Sequence, residues 1–361
     1  MEEINNNYNP TIGYIKSFAI ILMVLGHACF DKMPGMPHFF EFVAMFHMPI
    51  FFIASGYCFK IKYINAPKAY LTSKFKGIYW PYVKWCLLFL LLHNIFFNLN
   101  LYNDQYGYLG NVSSIYTFAE IKTRAFEILV KMRSAEQLLG GYWFLNALFF
   151  GSLIAWVVIR LVNNMLFGGA ILVCVCTILN KTCWRIPLFD ISSRSFAAAL
   201  LIIIGYTIAK YKLKPFNSWQ IALGISFTLF GSYFWKMSLS FDSYSNKFFV
   251  PYILSATVAT WSFYSLFDRV REMSNCCTQA LTFIGKHTLT ILTWHLIVFK
   301  IVSFFIICYY HLPIGRLAEF PVISEYAEKG WWFAYFIVAM IVSCLFALCN
   351  TRWIRNEWLK L

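Results

Sequence analysis

The chain has 361 residues, of which 60% are hydrophobic, 20% aromatic and only 13% charged. A soluble protein carries about a quarter of its residues as charges, so this composition excludes an ordinary soluble domain. The net charge of +14 invites a nucleic-acid reading, and the placement of the charges along the chain argues against it.

Stretches of about 20 residues with few charges, enough to cross about 30 Å of hydrocarbon, predict ten spans. They fall at about 12–30, 38–59, 77–99, 141–162, 166–180, 195–210, 217–235, 249–267, 281–310 and 331–350. The chain thus reads as an all-α polytopic membrane protein, one domain over 1–361 with an insertion at about 100–140. "MEEINNNYNP" is polar and acidic, so no cleavable signal is expected before the first span. The N-terminus, the tail and the loops around 60–76, 160–165, 210–216 and 268–286 carry 15 Lys and Arg against five Asp and Glu. The opposite side carries 12 against 11. Basic loops stay inside, which puts both termini in the cytoplasm and makes the excess charge mainly a topology signal. It also suits contact with anionic head groups of the bilayer.

The first span, "YIKSFAIILMVLGHACF" (14–30), keeps Lys16 and His27. Ionisable groups within a span mark function by default. Eleven residues advance the helix about 20° beyond three full turns and about 16 Å along its axis, so both side chains share one face, Lys16 near the cytoplasmic end and His27 deeper. The second span adds His47 and the ninth His295, more imidazole than packing requires and the side chain suited to proton transfer near neutrality. A cation at the mouth and a base about 16 Å deeper match the two ends of a long phosphorylated donor. The alternative for Lys16 is snorkelling to the interface, and for His27 a hydrogen bond between helices.

Further along, residues 100–140 form the longest polar interruption, on the outer side. Phe118, Ile121, Ala125, Ile128, Leu129 and Met132 recur there with helical rhythm and predict an amphipathic helix, on the membrane or over a cavity. A second outer loop at about 311–330 is acidic through Glu319, Glu325 and Glu328. Asn111 and Asn180 head glycosylation triplets on the outer side. Eleven cysteines include no C-x-x-C pair and read as small apolar side chains. No internal repeat is visible, against an inverted-repeat transporter.

With these residues in place, the chain resembles the integral-membrane acyltransferase 3 family, and within it the fucose 4-O-acetylase-like branch. Lys16 and His27 look like the family's first-helix hallmark of Arg or Lys, ten residues, then His. "FHMPIFFIASGYCF" (46–59), "KFKGIYWPYV" (74–83), "GYWFLNALFF" (141–150), "IIGYTIAKY" (203–211) and "FIGKHTLTILTWHLIV" (283–298) resemble its further segments, in order and over nearly the whole chain. Lys stands where many members have Arg, which gives up bidentate phosphate geometry, and the long loop at 100–140 is unlike these segments, so the resemblance carries over no choice of acceptor.

The resemblance implies an acyl-CoA-dependent O-acyltransferase of the bacterial inner membrane. It would move an acyl group, acetyl above all, from cytoplasmic acyl-CoA to a hydroxyl of a sugar in an envelope or lipid-linked glycan. Acetyl-CoA is then a co-substrate and no cofactor or metal is required. In that reading His27 is the base or takes the acyl group itself, and Lys16 meets the CoA phosphates. Lys74 and Lys76 either help it or are plain cytoplasmic charge. Asp31 or Glu41 is expected to orient His27, unless each is a surface acid. His47, Trp143 and His295 are candidates for substrate contact. The alternatives are a helix bond for His47, a membrane-interface anchor for Trp143 and a structural role for His295. A transporter or flippase for a lipid-linked glycan or small metabolite is the rival reading. It calls for carboxylates inside spans, and the spans hold almost none besides Glu41.

Overall fold

The computed structural model describes residues 9–29, 35–36, 38–107, 112–182, 185–186, 189–235, 248–273 and 275–358, with side chains to 349. These residues form fifteen α-helices and no strand, apart from an isolated bridge between Ile186 and Ile191. Eight of the ten predicted spans are helices long and apolar enough to cross a membrane. The other two form as helices α10 (Ser218–Trp235) and α11 (Phe249–Asp268), but Ser, Thr and Tyr lower their hydropathy below that of the eight.

Helix α1 (Pro10–Ala28) begins where Asn9 accepts a hydrogen bond from the Thr11 N–H and Pro10 fills the first helical position, a placement that wastes no backbone donor. It is the central helix, packed by α3, α11, α12, α13 and α15. Its span is 72% buried, against 22% for the last one. Lys16 and His27 therefore sit on a helix surrounded by protein rather than lipid.

The predicted second span is broken. Helix α2 (Phe39–Ala44) ends and α3 (His47–Tyr57) restarts two residues later. Pro49 is the cause: it has no N–H and its ring displaces the carbonyl four residues back, so it is tolerated only in a first turn. The break leaves His47 at the start of α3. Helix α3 then lies on α9 (Ser193–Lys210) with backbones almost touching. A Cβ on Gly56 would strike the Ile202 carbonyl, and one on Gly205 the Ile53 carbonyl. Close approach through small residues is how helices associate in lipid. Gly205→Ala is accordingly expected to cost about 1–3 kcal/mol through overpacking, read as a lower melting temperature of the detergent-solubilised protein.

The predicted loop at 60–76 is partly helical. Helix α4 (Pro67–Lys74) runs through a five-residue π-turn, Phe75–Tyr79, into α5 (Trp80–Asn98). The wide turn precedes Pro81, whose missing donor loosens the ladder at that point. Within the insertion at 100–140, α6 (Phe118–Phe126) starts with a reciprocal Thr117–Glu120 cap. Ile121 and Ala125 pack on the core and Ile128 and Met132 are buried, whereas Phe118 and Leu129 point outward. This segment is tied to α5 by His93, whose Nδ1 meets the Glu136 carboxylate at 3.1 Å and whose Nε2 donates to the Ser114 carbonyl at 3.0 Å. Asn111 lies outside the described residues.

Helices α7 (Trp143–Leu161), α8 (Met165–Thr182) and α9 pack side by side. The ninth predicted span splits at His287 into an amphipathic α12 (Cys276–Lys286) and the spanning α13 (Thr288–Tyr310). Gly285 of α12 lets its backbone close on Gly13 of α1, and the Ser17 hydroxyl donates to the carbonyls of Gly13 and Leu281. Lys300 of α13 is buried and donates to the Glu319 carbonyl at 2.5 Å, fixing the loop at 311–330. A three-residue helix α14 (Ser324–Tyr326) leads into α15 (Trp332–Trp358).

Candidate active site between helices α1, α3, α7 and α13

Lys16 and His27 lie on one uninterrupted helix, so their eleven-residue spacing becomes a separation of about 16 Å along α1. Along the Lys16 side of their shared face opens a cavity of about 340 Å³, bounded by α1, α3, the π-turn, α7 and α13. Ile12, Lys16, Ile20 and Met23 form the α1 wall, three and four residues apart as one helical face demands. Lys16, Ser55, Cys58 and Thr288 supply polar atoms toward one end, the lower, and Met48, Phe51, Phe144 and Leu292 make the other part apolar. The cavity's upper lining residues Met23 and Leu292 lie one turn below His27 and His295 respectively.

At the lower end, Lys16, Lys60 and Lys74 surround Cys58 closely enough to act on its charge. Lys74 is half-buried with its ammonium 5.3 Å from the centre of the Tyr70 ring, while Lys76 is exposed. The π-turn that carries Lys76 puts Gly77 and Ile78 into the cavity wall. Three lysines near one opening make an anion-attracting mouth.

At the upper end, His27 meets His295. Nδ1 of His27 lies 2.9 Å from Nε2 of His295, and the rings are stacked with centroids 5.2 Å apart. His295 is fully buried, and its Nδ1 lies 3.1 Å and 3.0 Å from the carbonyl oxygens of Ile291 and Leu292. His47 is within electrostatic reach of His27 and donates from Nδ1 to the Val43 carbonyl at 2.9 Å. Two imidazoles of this group, those of His27 and His47, are half-buried. Among the described residues, no group of His, Cys, Asp and Glu is arranged to hold a metal ion.

The remaining sequence candidates are distributed otherwise. Glu41 is bonded to His38 at 2.6 Å on α2, and the nitrogen of His27 that a carboxylate was expected to hold is taken by His295. Asp31 lies outside the described residues. Trp143 opens α7 beside the cavity-lining Phe144 and carries the Arg194 guanidinium over its ring, 4.5 Å from the centroid. Arg194 is a residue that sequence reading passed over, since one arginine beside a loop looks like any surface charge. Behind His295, the buried Tyr142 hydroxyl bonds Thr293 at 2.7 Å, which holds the start of α7 to α13.

A family model for an acyltransferase domain, that of the acyltransferase 3 family, matches residues 9–349. The chain belongs to that family. No curated protein and no solved structure matches it. As an acyltransferase 3 protein whose described residues include eight helices long and apolar enough to cross a membrane, it is a multi-pass membrane acyltransferase, and the cavity that runs from Lys16 toward His27 is the candidate site of that activity.

Proposed function

We propose that this acyltransferase takes an acyl group, acetyl above all, from cytoplasmic acyl-CoA and transfers it to a sugar hydroxyl of an envelope or lipid-linked glycan. The observation that carries the reading is the cavity that runs from Lys16 along one face of α1 to Met23, one turn short of His27 on the same helix. A nucleotide thioester has that shape and polarity: phosphates at one end, a thin arm, and a reactive carbonyl at the other. Lys16 holds the phosphates as a point charge, with Lys74 and Lys76 as further cations at the lip. The apolar upper half favours a short acyl chain and keeps water from the thioester.

His27 acts as the base. The thioester is already activated, so the protein supplies proton removal, positioning and a dry site. The acceptor oxygen loses its proton to His27 as it attacks the carbonyl carbon, the C–S bond breaks, and the departing thiolate takes up a proton to leave as CoA. His47 and Trp143 with Arg194 border the upper end, where the acceptor would sit. In this reading the helix orientation puts both termini in the cytoplasm, the membrane is the bacterial inner one, and the acceptor resembles that of the fucose 4-O-acetylase-like branch.

Labelled acetyl-CoA supplied to membranes that contain the protein should place label in the lipid-linked or polymeric glycan fraction. Label that never leaves CoA, with acceptor present, would contradict the assignment. Cys58 gives a second check, because it is exposed at the cavity mouth. In a variant whose other exposed cysteines are replaced by serine, saturating CoA is expected to slow maleimide labelling of Cys58 at least about fivefold. CoA that leaves the labelling rate unchanged would place the donor elsewhere.

A further inference from the structure

We infer that His295 is the positioning partner of His27, fixing it in the tautomer that leaves Nε2 as a base and sharing the proton it takes up. The inference rests on the acyl-transfer reading of the site for its chemistry and on the hydrogen bonds alone for its geometry.

Two carbonyl oxygens, those of Ile291 and Leu292, lie 3.1 Å and 3.0 Å from Nδ1 of His295. A carbonyl only accepts, so His295 Nδ1 carries a hydrogen. In a neutral imidazole the other nitrogen then has the lone pair, and His295 Nε2 is an acceptor. The atom 2.9 Å from it, Nδ1 of His27, must donate. His27 therefore holds its hydrogen on Nδ1 and presents a lone pair at Nε2. No other tautomer pair satisfies both contacts while both rings are neutral. Among the described residues the one hydrogen bond of the His27 ring is that of Nδ1 to His295, and none takes Nε2. The backbone of α13 thus sets the protonation pattern of a side chain on α1, 268 positions away in sequence.

The same bonds give the proton a resting place. As the acceptor hydroxyl proton arrives at His27 Nε2, the hydrogen on His27 Nδ1 can cross to His295 Nε2. His295 is then a cation whose Nδ1–H points at two carbonyl oxygens, and His27 is neutral again with its hydrogen on Nε2. The reverse crossing returns the hydrogen from His295 Nε2 to His27 Nδ1, and the proton on His27 Nε2 then passes to the leaving thiolate, so the pair begins and ends neutral. A carboxylate partner would do the orienting with a fixed negative charge; here a histidine does it with backbone dipoles behind it.

The test uses full-length protein in lipid nanodiscs, with ring nitrogens of histidine labelled for ¹⁵N spectroscopy and His27 assigned by its loss in His27→Ala. Wild type is expected to show His27 protonated at Nδ1 and bare at Nε2. His295→Leu removes the acceptor and should give a mixture of tautomers. It should also lower kcat by about 10²-fold with donor KM unchanged, as expected for losing an oriented base. His295→Gln can place its amide oxygen near the position of Nε2, so it should restore the single tautomer and hold kcat within about tenfold of wild type, a rescue that mere packing would not give. If the Leu variant does not fold, His295→Asn, which keeps an N–H for the two carbonyls, takes its place. A His27 that carries its hydrogen on Nε2 in wild type, or a tautomer and kcat indifferent to His295, would overturn the proposal. A wild type with the Nδ1–H signature that transfers nothing from acyl-CoA would remove the donor assignment and leave the clamp standing.

Discussion

His27→Ala is expected to lower the rate of acyl transfer by about 10³-fold, inside the span that a positioned general base contributes, and to leave donor affinity within about twofold of wild type. The separation follows from the layout. The α1 walls of the cavity are Ile12, Lys16, Ile20 and Met23, and His27 lies one turn beyond them, so truncating it leaves the walls that hold the phosphates and the arm of the donor intact. Folding should survive as well. The one hydrogen bond lost is that to His295, and leaving its buried Nε2 without a partner costs about 1–3 kcal/mol. Steady-state kinetics on purified protein at matched folded concentration, with a melting curve beside it, measures both. Unchanged kcat would remove His27 from the chemistry, and a collapse of the melting temperature would make it a packing residue.

Lys16→Ala should do the opposite, raising donor KM about ten- to a hundredfold with kcat changed less than about threefold. A hydrogen bond to a charged group contributes about 1.5–3 kcal/mol, which corresponds to that range in affinity. Lys16→Arg keeps the cation and should recover most of the loss, and the wild-type KM should rise with added salt because surface-accessible charges are screened. An equal fall in kcat for Lys16→Ala would mean that the lysine acts on the transition state rather than on the bound donor.

Much of this site was legible before any coordinates because it is written within single helices. The Lys16–His27 spacing needs only the pitch of α1, and all ten predicted spans formed as helices, eight of them as apolar spans. Their interruptions were less visible. Pro49 breaks the second span and Pro81 widens the turn before α5, both local effects that a hydropathy average smooths over. The partner of His27 could not be read at all. A carboxylate nearby in sequence was the reasonable expectation, but Glu41 turns to His38, and the contact that forms joins α1 to α13. Pairings of that kind depend on how helices rotate against each other, which here is set by close backbone approaches such as Gly13 against Gly285. For the same reason the insertion at 100–140 showed its helix in the periodicity but not the buried His93–Glu136 bond that ties it down.

Direct binding of CoA to the purified protein tests the central claim, that α1 spans the donor from phosphates to carbonyl. Titration of wild type, Lys16→Ala and His27→Ala should give saturable binding to all three, weakened about ten- to a hundredfold by the lysine change and untouched by the histidine change. No binding to folded wild type, or equal affinity in all three proteins, would contradict it and return the cavity to a transport pathway or a packing void.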